Sequence, residues 1–443
     1  MRSNHTLVGM ETTFDEDNLL PNGGLVVPAA LAQRLGVAEL IDERVQLPET
    51  APGRAASGAK AMTVIGAMLA GADCIDDVAV LRAGAAAEVF DDTRAPSTIG
   101  TWLRGFDWGT VRQLDAASRT LLARAWDAGL GPDLYADLTL DLDSTICRAF
   151  GTAKQGVRFG YTGVRGLHPL LATVAGTDEV VHSRMRGGNA GAARGAGSFT
   201  RETIARVRDA GATGALTIRA DSAFYGRPFV HACLDHDVAF SVTAGLDKAI
   251  KKAIAAIDDE AWQPIDYWQE GGADVAEIEY TAFTSARKSD HVTGRLIVRR
   301  VRPTPGSQLA MNVVHDYHAI FTNRTGDTLD IEADHRAHAV VELAIRDLKA
   351  GGLAHVPSGV FFANAAWLGL AVVAHNLGRW TLKSAGARWA RATVATLRRK
   401  LISMPARLVH TARKLKLRAP TGWPWADAYH TAMARIAAIP APT

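Results

Sequence analysis

The segment from His335 to Lys349, HRAHAVVELAIRDLK, constrains the fold more than any other stretch of the chain. Asp334 precedes it as a capping side chain, and Gly351 and Gly352 follow as stops, which predicts a helix over 335–349. At 100° per residue, His335, His338, Glu342 and Lys349 fall within an arc of about 60°. Val340, Leu343, Ala344 and Leu348 cover much of the remaining surface. That pattern predicts a helix buried on most sides with one polar stripe. Such a stripe either faces solvent or lines an anionic partner, with Glu342 set between basic residues.

Charge is unevenly placed along the chain. The net charge is +3, yet Leu348 to Ala426 carries 13 Lys or Arg and no Asp or Glu, so the remainder is net acidic. A basic, acid-free C-terminal end points to nucleic acid or a membrane surface. A length of 443 residues allows two or three domains. Cys74, Cys147 and Cys233 form no CxxC pair. That argues against a disulfide framework or structural zinc and fits a reducing cytoplasm. The N-terminus lacks the apolar region of a signal peptide. The longest apolar run, Phe361 to Leu377, is interrupted by Asn364, His375 and Asn376. It reads as a buried core helix, so no membrane partner is expected.

Residues 1–25 read as irregular and partly disordered, and Pro28 to Trp126 as helical. Within that region Ser97 is placed to cap a short helix that carries Arg104. This is either a helix-turn-helix-like DNA reader or an ordinary helical cap domain. At Asp137 the pattern changes. Leu138, Leu140 and Leu142 alternate with Thr139, Asp141 and Asp143, a period-two strand whose polar face ends at Asp143. Strands follow at 170–174 and 180–185, a helix at 198–211, and a strand at 215–222 that delivers Asp221 at its end. Residues 262–321 are β-rich, a β insertion between Asp221 and the Glu342 helix, and an Arg-rich helical tail spans 379–418.

Three carboxylates from distant positions can converge on a pair of divalent ions. Hard oxygen donors suit magnesium or manganese. Two such ions can activate an attacking water or hydroxyl and stabilise the leaving oxygen of a phosphodiester. Alternation alone does not choose between Asp141 and Asp143, which share a face.

These residues resemble a known family. LDLDST at 140–145, IRADS at 218–222 and the 335–349 helix are similar to insertion-sequence transposases of the DDE type. The likeness is to the branch with a β insertion before the final Glu. That branch carries a Tyr-x2-Arg-x3-Glu-x6-Lys signature; here Glu342 and Lys349 keep the spacing, while His335 and His338 stand for Tyr and Arg. The resemblance implies an α/β, RNase H-like mixed-sheet catalytic core over 131–385 with its β insertion at about 245–325. It also implies a helical DNA-binding region over 1–130 and a basic helical region over 386–443. It favours Asp143 over Asp141, giving Asp143, Asp221 and Glu342 as catalytic and metal-binding residues, with two Mg2+ or Mn2+ ions per site. Lys349, His335, His338, Arg336 and Arg346 are expected on DNA, as are Arg104 and the tail residues Arg391, Arg398, Arg399 and Lys400. Trp262 and Trp268 of the insertion are expected to stack on a flipped base. The implied activity is cut-and-paste transposition of a bacterial insertion sequence. The partners are double-stranded DNA, as terminal inverted repeats and target, and a second protomer in the synaptic complex. The alternatives are a structure-selective nuclease that cuts without joining, and a domesticated DNA-binding protein. A cytoplasmic, nucleoid-associated location is expected.

Overall fold

Leu138, Leu140 and Leu142 are buried in the strand that their alternation predicts, β1 (Leu138–Ser144). The computed structural model describes residues 7–90, 92–151, 153–160, 162–191, 193–303, 315–411 and 414–441. β1 lies inside a nine-stranded mixed sheet. The other strands are β2 (Leu170–Val174), β3 (Val180–Arg184), β4 (Leu216–Ala220) and β5 (Ala239–Ala244). They are followed by β6 (Gln263–Ile265), β7 (Ala273–Ala282), β8 (Val292–Val301) and β9 (Asp316–Thr322). The spatial order is β6-β7-β8-β9-β5-β4-β1-β2-β3. β1 runs antiparallel to β2 and parallel to β4, and β4 runs parallel to β5. Parallel neighbours need crossovers. Helix Ala196–Asp209 and helix Arg227–Leu234 supply them.

The β-rich stretch 263–322 continues this sheet. β9 pairs antiparallel with β5 through Ile320↔Thr243 and Phe321↔Val242. One face of the extension packs Val275, Ile297 and Ile320 against Ile331 of the helix Thr328–Arg336. At one edge of the sheet β6 is short and holds Pro264. At the other edge the Asn376 side chain accepts from the Val180 N–H and donates to the Val180 C=O, both at 2.9 Å.

Helices Val26–Arg34, Val37–Arg44, Ser57–Ala70, Pro96–Arg104 and Trp108–Asp127 form the N-terminal part. A continuous apolar core runs from Leu25 to Ile436. At its centre is the helix Phe361–Ser384. It is long and apolar enough to cross a membrane, but 83% of its most apolar window is buried inside the protein, as a core helix requires.

Three local expectations are corrected. Ser97 is no cap: Pro96 opens the helix, Ala95 precedes it in extended conformation, and Ile99, Trp102 and Leu103 turn into the core. The helix expected over 335–349 starts earlier and is broken. It begins at Thr328, where Asp327 accepts from the Leu329 and Asp330 amides. A 3-10 turn then spans Ala337–Val340, and a second helix runs Val341–Lys349. Asp334 cannot cap because it lies inside the first helix, where its carboxylate is engaged by Arg219 and Arg324. Finally, the tail is not all helical. Ala406–Thr411 and Lys414–Arg418 pair antiparallel, and Leu19–Leu20 adds to the outer side of the first. The KLKLR alternation of 414–418 is a strand pattern.

Candidate active site

The register of β1 on β4 builds the site. Asp141 pairs with Arg219 and Leu142 with Ala220, so the next residues outward, Asp143 and Asp221, emerge side by side. Adjacent strands lie about 4.8 Å apart, which keeps the two carboxylates close. Asp221 also opens the turn that follows, accepting from the Ala223 amide at 3.0 Å.

Asp141 and Asp143 share a face but not a fate. Asp141 is 2% exposed and takes two parallel hydrogen bonds from Arg219, each 2.8 Å, plus one from His338 Nδ1 at 2.8 Å. Burial pushes its pKa up, but the His338 and Arg219 bonds outweigh that and hold it below the usual carboxylate range. Arg219 reaches on to Asp334, so Asp141 is the end of a neutralised network. Asp143 accepts from the Ser144 amide at 2.6 Å. Burial, and then the like charges of Asp221 and Glu342, push it up to about 6 against the lowering effects of the Ser144 bond and His338. Asp221 is also raised, chiefly by burial.

Glu342 stands exposed in the first turn of Val341–Lys349, close enough for its charge to act on Asp143. That helix is not buried on most sides. Val341, Ala344, Ile345 and Leu348 face the core, while Leu343 and Arg346 face outward with Glu342. Its far end is anchored by Asp347, which accepts from the Val394 and Ala395 amides at 2.7 and 3.2 Å. Lys349 is half-buried and lines a groove with Ser144 and Thr145.

Several expected DNA contacts are placed elsewhere. His335 is buried, with Ser241 Oγ at 2.8 Å from Nδ1 and Thr243 Oγ1 at 3.0 Å from Nε2, so neither nitrogen is open to a phosphate. Burial lowers its pKa to about 3. Arg398 is spent on the carbonyls of Leu69, Met68 and Ala350, each at 3.1 Å. Lys400 lies over the rings of Trp389 and Trp425 at 5.7 and 5.5 Å. Trp262 is half-buried under Arg300, 4.3 Å away, and so has a covered face. Trp268, in contrast, is 84% exposed beside Tyr267, whose ring Arg336 overlies at 5.6 Å. Arg104, Arg346, Arg391 and Arg399 are exposed.

Sequence reasoning missed a second layer. His168 is buried, with Nε2 at 3.0 Å from Ser144 Oγ and Nδ1 at 2.8 Å from Ala190 O. It backs the residue next to Asp143. The Asp141–Arg219 pair was also missed, although the two strand motifs aligned in parallel would have revealed it.

Carboxylate oxygens without a cationic side chain bonded to them suit a hard divalent cation, and the crowding at Asp143 shows surplus negative charge there. Among the described residues, two groups bring three ligand atoms within 4.8 Å, and neither contains Asp143, Asp221 or Glu342: they are Asp73/Cys74/Asp77 and Asp115/His182/Glu202. In the second, Arg112, Arg184 and Arg206 already neutralise both carboxylates.

The family model described as transposase DDE domain group 1 matches residues 7–441 of the chain. No curated protein matches it. Among solved structures the chain is similar to a piggyBac transposase synaptic complex with hairpin DNA, determined by cryo-EM. That likeness has 12% identity and a TM-score of 0.38, over 96% of this chain and 86% of the other.

Proposed function

The chain belongs to the transposase DDE domain group 1 family, a family of DNA-cleaving and strand-transferring enzymes, and from that premise we propose that Asp143, Asp221 and Glu342 are its catalytic carboxylates. The observation that carries this reading is the contrast between two rows of one sheet face. Asp141 is neutralised by Arg219, whereas Asp143 and Asp221 share their row and, among the described residues, neither is held in a salt bridge. The strand order β3-β2-β1-β4-β5, with β1, β4 and β5 parallel, supports an RNase H-like core.

Asp143, Asp221 and Glu342 would hold two magnesium or manganese ions, which supply activation of the attacking oxygen and stabilisation of the leaving one. The chain's own residues bind and orient. His338 is held by Asp141 at the inner wall, where its ring bears on both Asp143 and Asp221. Lys349 places a cation seven residues beyond Glu342 on the same helix, to hold a neighbouring phosphate. Arg336 and Arg346 add charge beside it, and Trp268 offers an open face to an extruded base. Arg104, Arg391 and Arg399 are further backbone contacts. The substrate is double-stranded DNA: the terminal inverted repeats of a bacterial insertion sequence and then the target, joined by cut-and-paste in a synaptic homodimer. Residues 1–130 and 386–443 flank the catalytic part as DNA-binding regions.

The test is a strand-transfer assay with magnesium or manganese on DNA carrying the inverted repeats that flank the gene. Cleaved ends and joined products are expected, with loss of both in calcium. Cut ends that never join would make the protein a nuclease. Full cleavage by Glu342→Ala would overturn the assignment of the carboxylates.

A further inference from the structure

After Ser144 the chain leaves the main sheet and builds a small one that no sequence signal announced. Its strands are Cys147–Arg148, Arg165–Leu167 and Arg158–Phe159, with Arg165–Leu167 in the middle. Along 145–150 the chain alternates. Thr145, Cys147 and Ala149 are buried, while Arg148 and Phe150 are exposed. Arg148 and Arg158 both pair with Gly166, so they share one face across a residue without a side chain. From Ser144 to Thr177 there are four Lys or Arg and no Asp or Glu.

Between this sheet and the end of the Glu342 helix lies a groove of 580 Å3. Ser144 and Arg148 line one wall, and Lys349 and Leu353 the other, with two cations and no carboxylate in the lining. Its inner end is therefore one residue from Asp143. At its rim Phe150 is 60% exposed, its ring 6.0 Å from that of His355. The nearby Asp73 carboxylate is met by His355 Nδ1 at 3.1 Å. A basic groove with an exposed aromatic face beside it is an arrangement that takes an unpaired nucleic-acid strand, because each base offers a face for stacking. A paired duplex keeps those faces inside.

We propose that this groove holds an unpaired DNA strand leading away from the scissile phosphate, with Arg148 and Lys349 on its phosphates and Phe150 stacked on a base. The proposal rests on the catalytic reading only for where the strand comes from. The occupant is fixed by the charge and the aromatic rim.

The test uses the full chain without divalent metal, so that nothing is cut. Binding of a fluorescent 15-nucleotide oligothymidine is compared with binding of a duplex of equal length. Phe150→Ala should weaken oligothymidine binding about tenfold, and Phe150→Trp should restore it, while duplex binding stays within about twofold. Arg148→Ala should lower the log–log salt slope for oligothymidine by about 0.7. Melting temperatures should not move, since both side chains are exposed. Should Phe150→Ala melt early, Phe150→Leu, which keeps bulk without a stacking face, carries the same comparison. Wild-type oligothymidine binding by Phe150→Ala, or equal loss for both DNAs, would overturn the proposal. A wild-type protein that never cleaves DNA but shows the Phe150 effect would sink the catalytic reading and leave the groove standing. Cleavage and joining with no Phe150 effect would do the reverse.

Discussion

Asp143 and Asp221 stand next to each other, one residue past the last paired row of two parallel strands, while two residues back on the same face Asp141 and Arg219 cancel each other. The same sheet face thus switches from a closed ion pair to an open pair of carboxylates within about 7 Å.

The open pair should cost stability when no metal is bound. The folded pKa of Asp143, about 6, lies above its usual value of 3.8. The folded state therefore holds the proton more tightly. Its contribution favours folding at low pH and turns unfavourable as pH rises from about 4 through 6. Asp143→Asn should raise the melting temperature of the metal-free protein at pH 7.5 and have little effect at pH 4. Magnesium or manganese should stabilise the wild type at pH 7.5 and not this variant. Equal stabilisation of both proteins by metal would place the ions elsewhere.

The closed pair should behave oppositely. Arg219→Ala leaves Asp141 buried with one partner fewer, and loss of about 3–5 kcal/mol is expected in denaturant unfolding. Asp143→Asn should cost nothing comparable. An Arg219→Ala protein as stable as the wild type would mean that water reaches Asp141.

His335 gives a pH signature of its own. Its folded pKa is about 3 against an ordinary 6.5, so the unfolded chain takes up a proton that the folded chain refuses. Stability is fully present above pH 6.5 and falls by about 1.4 kcal/mol per unit below it. His335→Gln should flatten that part of the curve while leaving DNA affinity and its salt dependence unchanged. A weaker salt dependence would return His335 to the DNA surface.

In the tail, neighbouring arginines should separate cleanly. Arg398→Ala removes three bonds to main-chain carbonyls and should destabilise by about 1–3 kcal/mol. Arg391→Ala with Arg399→Ala should leave stability alone and reduce the log–log salt slope on duplex DNA by about two. Equal effects of both changes on melting would make the exposed arginines structural as well.

Lys349 is expected to act on the substrate. Lys349→Ala should impair end cleavage severely at nearly unchanged melting temperature, and Lys349→Arg should be milder because charge is kept. Wild-type cleavage by Lys349→Ala would leave it as a favourable cation at a helix C-terminus, worth about 0.3–1 kcal/mol.

Strand periodicity made much of this legible. The Leu138–Leu142 alternation, the strand ending before Asp221 and the β-rich stretch before the Glu342 helix were all visible as local patterns. What depended on register was not. Which of Asp141 and Asp143 is free depends on Arg219 lying opposite Asp141, a contact across 78 residues. The 3-10 turn between His335 and Glu342 showed no local signal, and the ion pairs that hold Asp334 to Arg219 and Arg324 are contacts between distant parts of the chain or across a helix start. The small sheet after Ser144 has strands of two or three residues, too short for any period to show. The KLKLR hairpin was within reach, and its basic composition drew attention from its alternation.

The edges of the main sheet bear on how this protein can meet a second copy of itself. Unpaired strand edges are templates for recruiting another chain. Here Pro264 denies one outer strand a donor, and Asn376 fills the place of a neighbouring main chain at Val180 on the other. Strand addition is thus blunted at one border and occupied at the other. A second copy of the chain would therefore not add to the main sheet through either of its outer strands.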